Sequence, residues 1–213
     1  MIISILNQKG GTGKTTLAVN IAREYTLREK LTLLIDTDSQ GSAQRWHERS
    51  GGDLIDMTCL TMTTLHKDIL KYIPRYERIV IDGIPQISAL TMASIRCANL
   101  ILIPVQPSPY DIWATEDLIR HVKYRIDMTE GKVKAAFIVS RKITGTNLGN
   151  EIYNELKKFE LPIFKTETHQ RVAYATCVEK GLTVVDEEYQ NSSACIEIKC
   201  IVNEIEEFTN GVY

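Results

Sequence analysis

The stretch Gln8-Lys9-Gly10-Gly11-Thr12-Gly13-Lys14-Thr15-Thr16 lies between an apolar run, Ile2-Ile3-Ser4-Ile5-Leu6, and a helical pattern that opens Leu17-Ala18-Val19-Asn20-Ile21-Ala22. Strand, glycine-rich turn and helix N-terminus, in that order, make a phosphate cradle. Glycines at 10, 11 and 13 let main-chain N–H groups turn inward with no Cβ in the way, and the helix opening at Lys14 or Thr15 adds the positive end of its dipole. The ligand such a loop suits is a polyphosphate.

Within the loop, Lys14 is placed to reach the β- and γ-phosphates and the Thr15 hydroxyl to hold Mg²⁺, the roles a P-loop assigns to its Lys and its Ser/Thr. The expected ligand is therefore a polyphosphate with Mg²⁺, with Gly10, Gly11, Thr12, Gly13 and Thr16 completing the cradle. The usual pattern asks for Gly where this chain has Gln8, so the match is to a deviant form, Lys-Gly-Gly-x-Gly-Lys-Thr, in which Lys9 precedes the glycines.

Outward from the loop, apolar runs alternate with helical patterns. Leu31–Ile35, Arg78–Asp82, Leu100–Val105 and Ala135–Val139 read as strands, and a possible strand lies near Met57–Leu60. Continuous apolar runs fit parallel strands covered on both faces. Helices are expected to about Leu27, from Ser42, from Thr64 or Leu65 to Ile73, over 87–97, from Asp111 or Ile112 to Met128, over 148–159 and over 172–180. A last one, capped by Ser192, carries Ile196, Cys200, Ile201 and Ile205 on one stripe. The expected fold is a doubly wound α/β domain over residues 1–213, a mainly parallel sheet with helices on both faces, whose ligands sit beyond the carboxyl ends of the strands.

Two of those runs lead into acids. Asp36 and Asp38 follow Leu31–Ile35 and Asp82 ends the Arg78–Asp82 run, so all three are expected at one sheet edge with the loop. Phosphoryl transfer needs γ-phosphate charge neutralised, the metal's waters oriented and an attacking water positioned. Asp82 is assigned to the metal shell, Asp36 to its support and Asp38 to the hydrolytic water. The alternative for Asp36 and Asp38 is that they cap or turn the chain.

Composition limits the rest. The chain has 213 residues, 44% of them hydrophobic, and a formal charge of −2, which fits one globular domain with a sizeable core. No apolar run approaches the roughly 18 residues of a membrane span, and the N-terminus enters a strand directly, so a cytoplasmic protein is expected. Five cysteines without a C-x-x-C pair argue against a disulfide framework or a zinc site. Residues 120–180 hold 12 Lys/Arg against 7 Asp/Glu, while 181–213 hold 1 against 7, a basic segment before an acidic tail.

Lys9–Thr16, Asp-Thr-Asp-Ser-Gln at 36–40, Ile-Val-Ile-Asp-Gly at 79–83 and Ile-Pro-Val-Gln-Pro-Ser-Pro-Tyr-Asp at 103–111 together resemble the ParA family of deviant Walker-A partition ATPases, in its short, ParF-like branch without a helix-turn-helix extension. The resemblance implies an ATP-dependent homodimer in which Lys9 contacts phosphates held by the other subunit while Lys14 acts in its own. It also implies a hydrolytic Asp38, a proline segment including Pro107 near the adenine, and Arg141 at the nucleotide. Ser39 stands where many members have proline, and Gly83 is left without a role. The partners implied are nonspecific DNA and a centromere-binding ParB-like protein that triggers hydrolysis, hence a nucleoid-associated location. For DNA contacts Arg171 and Lys180 are the candidates in the basic segment, nonspecific binding being made by Lys and Arg on phosphates. Higher-order assembly into filaments is a further possibility. The cargo stays open among plasmids, chromosomal loci and protein compartments, all of which members of the resembled family move. A rival function is a positioning ATPase of the MinD kind, whose membrane cycling needs a basic amphipathic C-terminal helix that this acidic tail does not supply. An iron–sulfur ATPase would need a second cysteine to join Cys97.

Overall fold

The computed structural model describes residues 1–144 and 148–211. Six strands, β1 (Ile2–Ile5), β2 (Thr32–Asp36), β3 (Asp56–Cys59), β4 (Arg78–Asp82), β5 (Leu100–Val105) and β6 (Lys134–Val139), form one sheet in the order β3-β2-β4-β1-β5-β6. Every pairing among them is parallel. β1, β2 and β5 are buried along their whole length and β4 in all but Arg78, which is why they read as apolar runs.

Alternate residues of those strands face two cores. Ile3, Ile5, Leu34, Val80, Leu102 and Ile138 pack with α1 (Lys14–Leu27), Trp46 of α2 (Ser42–Arg49) and α9 (Ser193–Asn210), and Cys177 of α8 (Ala173–Glu179) joins them. On the other face Leu33, Ile35, Ile79 and Ile81 pack with α3 (Leu65–Asp68) and α4 (Ala89–Cys97). There too, Ile101, Ile103 and Phe137 meet α5 (Pro109–Trp113), α6 (Glu116–Met128) and α7 (Leu148–Lys157). The architecture is the expected doubly wound one.

Details differ from the sequence expectation. The helix expected from Thr64 to Ile73 is a single α-helical turn followed by a 3₁₀ turn, Ile69–Lys71, because Leu65 and Ile69 are its only residues buried in full. The long helix to Met128 starts earlier, at Pro109, and breaks after Trp113. Pro109 suits a first helical position, where its missing N–H is no loss. Outside the six strands, Ile163 forms a single bridge to Phe137. In α9 the buried stripe is Ala194, Cys195, Ile198, Ile201, Val202, Ile205 and Phe208; Ile196 and Cys200 lie on its exposed side. Ser192 caps that helix through the Cys195 N–H at 3.1 Å. All five cysteines are free.

Candidate functional site

The loop after β1 enters α1 through Gly13, whose φ of 89° places it in the left-handed region that a side chain disfavours. Gly11 shares that conformation, whereas Gly10 does not. Gly13 offers no side-chain cap to α1, in contrast to Ser88, which accepts from the Leu90 and Thr91 N–H groups at the start of α4. The first amides of α1 are thus left for a ligand, at the positive end of a 14-residue helix.

Neighbouring strand ends hold the loop in shape. The Gly11 carbonyl accepts from Gln106 Nε2 at 2.6 Å and from Arg141 Nη1 at 2.8 Å. Ser140 Oγ donates to the Thr12 carbonyl at 2.7 Å, and Asn7 Nδ2 to the Pro104 carbonyl at 2.7 Å. Gln106 and Ser140 follow β5 and β6 as the acids follow β2 and β4; only that position in the chain could have marked them. Arg141 grips the main chain of the loop.

Lys14 is buried and folds back so that Nζ donates to the Lys9 carbonyl at 2.9 Å. Burial lowers its pKa, opposed by the charges of Asp82 and Asp38. Asp36 and Asp82 are register partners across the β2–β4 ladder, so the two strand tips do bring these acids side by side. Asp82 is 1% exposed, and its Oδ1 has no hydrogen-bond partner among the described residues. Burial pushes its pKa up to about 7, with Asp36 adding to the rise; the Thr15 hydroxyl and Lys14 pull the other way.

Asp36 is engaged differently. Its Oδ1 accepts from the Asp38 N–H at 2.9 Å, and its Oδ2 from the Ala43 and Gln44 N–H groups at 3.1 Å each. Its carboxylate therefore caps α2 from outside that helix. Asp38 Oδ1 accepts from the Gln40 N–H at 2.9 Å, turning the chain, while its side chain lines the cleft over the loop. That cleft, about 1060 Å³, is bounded by Gly10, Gly13, Lys14, Thr15 and Thr16 on one side and by Arg141, His169 and Arg171 on the other.

A magnesium–nucleotide fits these residues. Among the described residues no three His, Cys, Asp or Glu side chains form a cage for a metal alone, so a cation here would share phosphate oxygens. Thr15 and the bare Oδ1 of Asp82 are the donors left over for such an ion and its waters.

The remaining sequence candidates are Lys9, Pro107, Arg171 and Lys180. Lys9 pairs with Asp111 of its own chain, and neither it nor Pro107 lines the cleft. Arg171 places Nε and Nη2 on Glu197 Oε1 at 2.7 and 2.6 Å. Glu197 also holds His169 Nδ1 at 2.8 Å and the Tyr174 hydroxyl at 3.1 Å. Lys180 pairs with Glu188. Gly83 acquires a reason: a Cβ there would stand 2.5 Å from Leu6 Cδ2 and 2.7 Å from the Ile5 carbonyl oxygen.

A two-lysine glycine loop at a switch point of an all-parallel sheet, with acids at the adjoining strand tips, defines a P-loop nucleotide-binding protein of the deviant kind. Residues 3–184 match the CobQ/CobB/MinD/ParA nucleotide binding domain, and the chain belongs to that family. It is 28% identical over 208 residues, 95% of each chain, to "Maintenance of carboxysome distribution protein A" of Halothiobacillus neapolitanus. It is 23% identical to "Chromosome partitioning protein ParA" of Myxococcus xanthus, in an alignment that covers 86% of this chain and 80% of the other. The solved structure of apo McdA from Cyanothece superposes with a TM-score of 0.77 at 15% identity, covering 96% of this chain and 98% of that one.

Proposed function

We propose that this chain is an ATPase that binds Mg·ATP, dimerises around it, and uses nonspecific DNA as the track on which a cargo is partitioned or positioned. The observation that supports this best is Lys14 folded over the glycine loop, together with a buried Asp82 whose Oδ1 has no hydrogen-bond partner among the described residues. Bound magnesium would neutralise phosphate charge as it develops. Lys14 would hold the β- and γ-phosphates, Thr15 and Asp82 would hold the ion and its waters, and Asp38, at the cleft wall, would orient the attacking water. Asp36 would set the turn that carries Asp38. Lys9 would serve the nucleotide of a second copy.

Two cargo readings stand side by side. The partition protein among the relatives supports a DNA cargo with a centromere-binding partner. The 28% identity to a carboxysome-distribution protein, across nearly the full length of both chains, supports positioning of a protein compartment along the same track, and is the stronger of the two likenesses. Membrane cycling has less support: α9 buries its apolar stripe in the core, and no described helix is long and apolar enough to cross a membrane. Nucleoid association follows from either cargo.

The test is DNA retention measured with gel filtration. With Mg·ATP the protein should shift to a dimer and bind unrelated DNA in a salt-sensitive way; a protein that stays monomeric and off DNA with ATP sinks the proposal. Light scattering with ATP and no DNA reports filament assembly, and co-sedimentation with anionic vesicles reports a membrane role.

A further inference from the structure

Lys9 is held at three points. Its N–H donates to Asn7 Oδ1 at 2.8 Å, its carbonyl accepts from Lys14 Nζ at 2.9 Å, and its ammonium pairs with Asp111. The pair is lopsided: the Lys9 side chain is 41% exposed, that of Asp111 1%. The second oxygen of Asp111, Oδ2, is buried with no hydrogen-bond partner among the described residues. Lys9 can leave into water at little loss, but its departure strands a desolvated carboxylate, the strongly unfavourable half of breaking a buried ion pair.

The arrangement also links Lys9 to the nucleotide. Phosphates that draw Lys14 Nζ into the cleft take it from the Lys9 carbonyl and so loosen the residue that carries the second lysine. Asp111 lies on α5 between Tyr110 and Trp113, which are 74% and 58% exposed with rings 5.5 Å apart, so the pair sits at an open aromatic rim.

We propose that Asp111 is a positioning residue that withholds Lys9 from a second copy until nucleotide displaces Lys14, so that this pair sets how much ATP dimerisation requires. The inference rests on the functional reading above, in which Lys9 crosses to the other subunit.

In Asp111→Asn the amide keeps the shape and leaves no charge stranded. The ATP concentration for half-maximal dimerisation, followed by sedimentation velocity, should fall at least tenfold. Affinity of the monomer for a fluorescent ATP analogue, read at dilute protein, should stay within twofold. The double variant Lys9→Ala/Asp111→Asn should remain monomeric. An Asp111→Asn protein that needs as much ATP as the parent, or more, overturns the proposal.

A second measurement needs no dimer. In nucleotide-free protein Lys9→Gln should lower Tm despite the exposure of Lys9, and in the Asp111→Asn background it should not. Equal Tm for Lys9→Gln and the parent overturns the pair's importance even if Asp111→Asn fails to fold. A parent that never dimerises with ATP while this coupling is present would instead reject the functional reading and spare the pair.

Discussion

Replacing Asp82 by Asn removes a charge that the fold holds out of water, and the structure sets the size and sign of the effect. Burial raises the Asp82 pKa from 3.8 to about 7. The folded, ligand-free chain therefore keeps a proton that the unfolded chain releases. Stability from this group is complete below pH 4 and is lost as pH rises toward 7, the direction linkage requires when the native state binds more protons. Three pKa units amount to about 4 kcal/mol at pH 8, of which about 2–3 kcal/mol is lost between pH 5 and pH 8. An amide does not titrate. Thermal unfolding of both proteins in EDTA at pH 5 to 8 should show the variant gaining on the parent by that amount, about 5–10 °C for a chain of this size. Mg·ATP should then raise the Tm of the parent much more than that of Asp82→Asn. A stability difference that stays constant across pH 5–8 refutes the argument that Asp82 is a stranded carboxylate awaiting a cation.

Gly83→Ala should cost about 1–3 kcal/mol in urea unfolding, because the contact at 2.7 Å is with the main-chain oxygen of Ile5, which cannot turn aside. Asp38→Ala should bind ATP and dimerise while hydrolysing it at least tenfold more slowly; phosphate release at the parent's rate would remove Asp38 from the hydrolytic step. Arg171→Glu would face Glu197 with a second carboxylate, so a fall in Tm should accompany any loss of DNA binding. Loss of DNA binding at unchanged Tm would show that Arg171 meets DNA directly.

The glycine loop and the positions of the strands along the chain were legible because each depends on local pattern: positive φ needs glycine, and strands covered on both faces need unbroken apolar runs. Asp36 shows the limit. Its place at a strand tip was readable, but its acceptance of the Ala43 and Gln44 N–H groups depends on how α2 leaves the turn. Among the expected DNA contacts, the same basic residue type hid two situations, since Arg171 is bound to a buried glutamate by a fold that joins positions 26 apart, and Lys180 is paired at the surface. The stripe of α9 was shifted because Ile196 and Cys200 are apolar in type yet face outward, while Ala194 and Ile198 carry the packing. Lys9 was readable as unusual, whereas the acid that holds it lies 102 residues away.

The most direct measurement is a calorimetric titration of the parent and of Lys14→Ala with Mg·ATP. One nucleotide per chain in the parent, and no heat in a folded Lys14→Ala protein, is the result expected if the loop after β1 holds the phosphates. Binding that survives Lys14→Ala unchanged, or a parent that takes up no ATP, would contradict it.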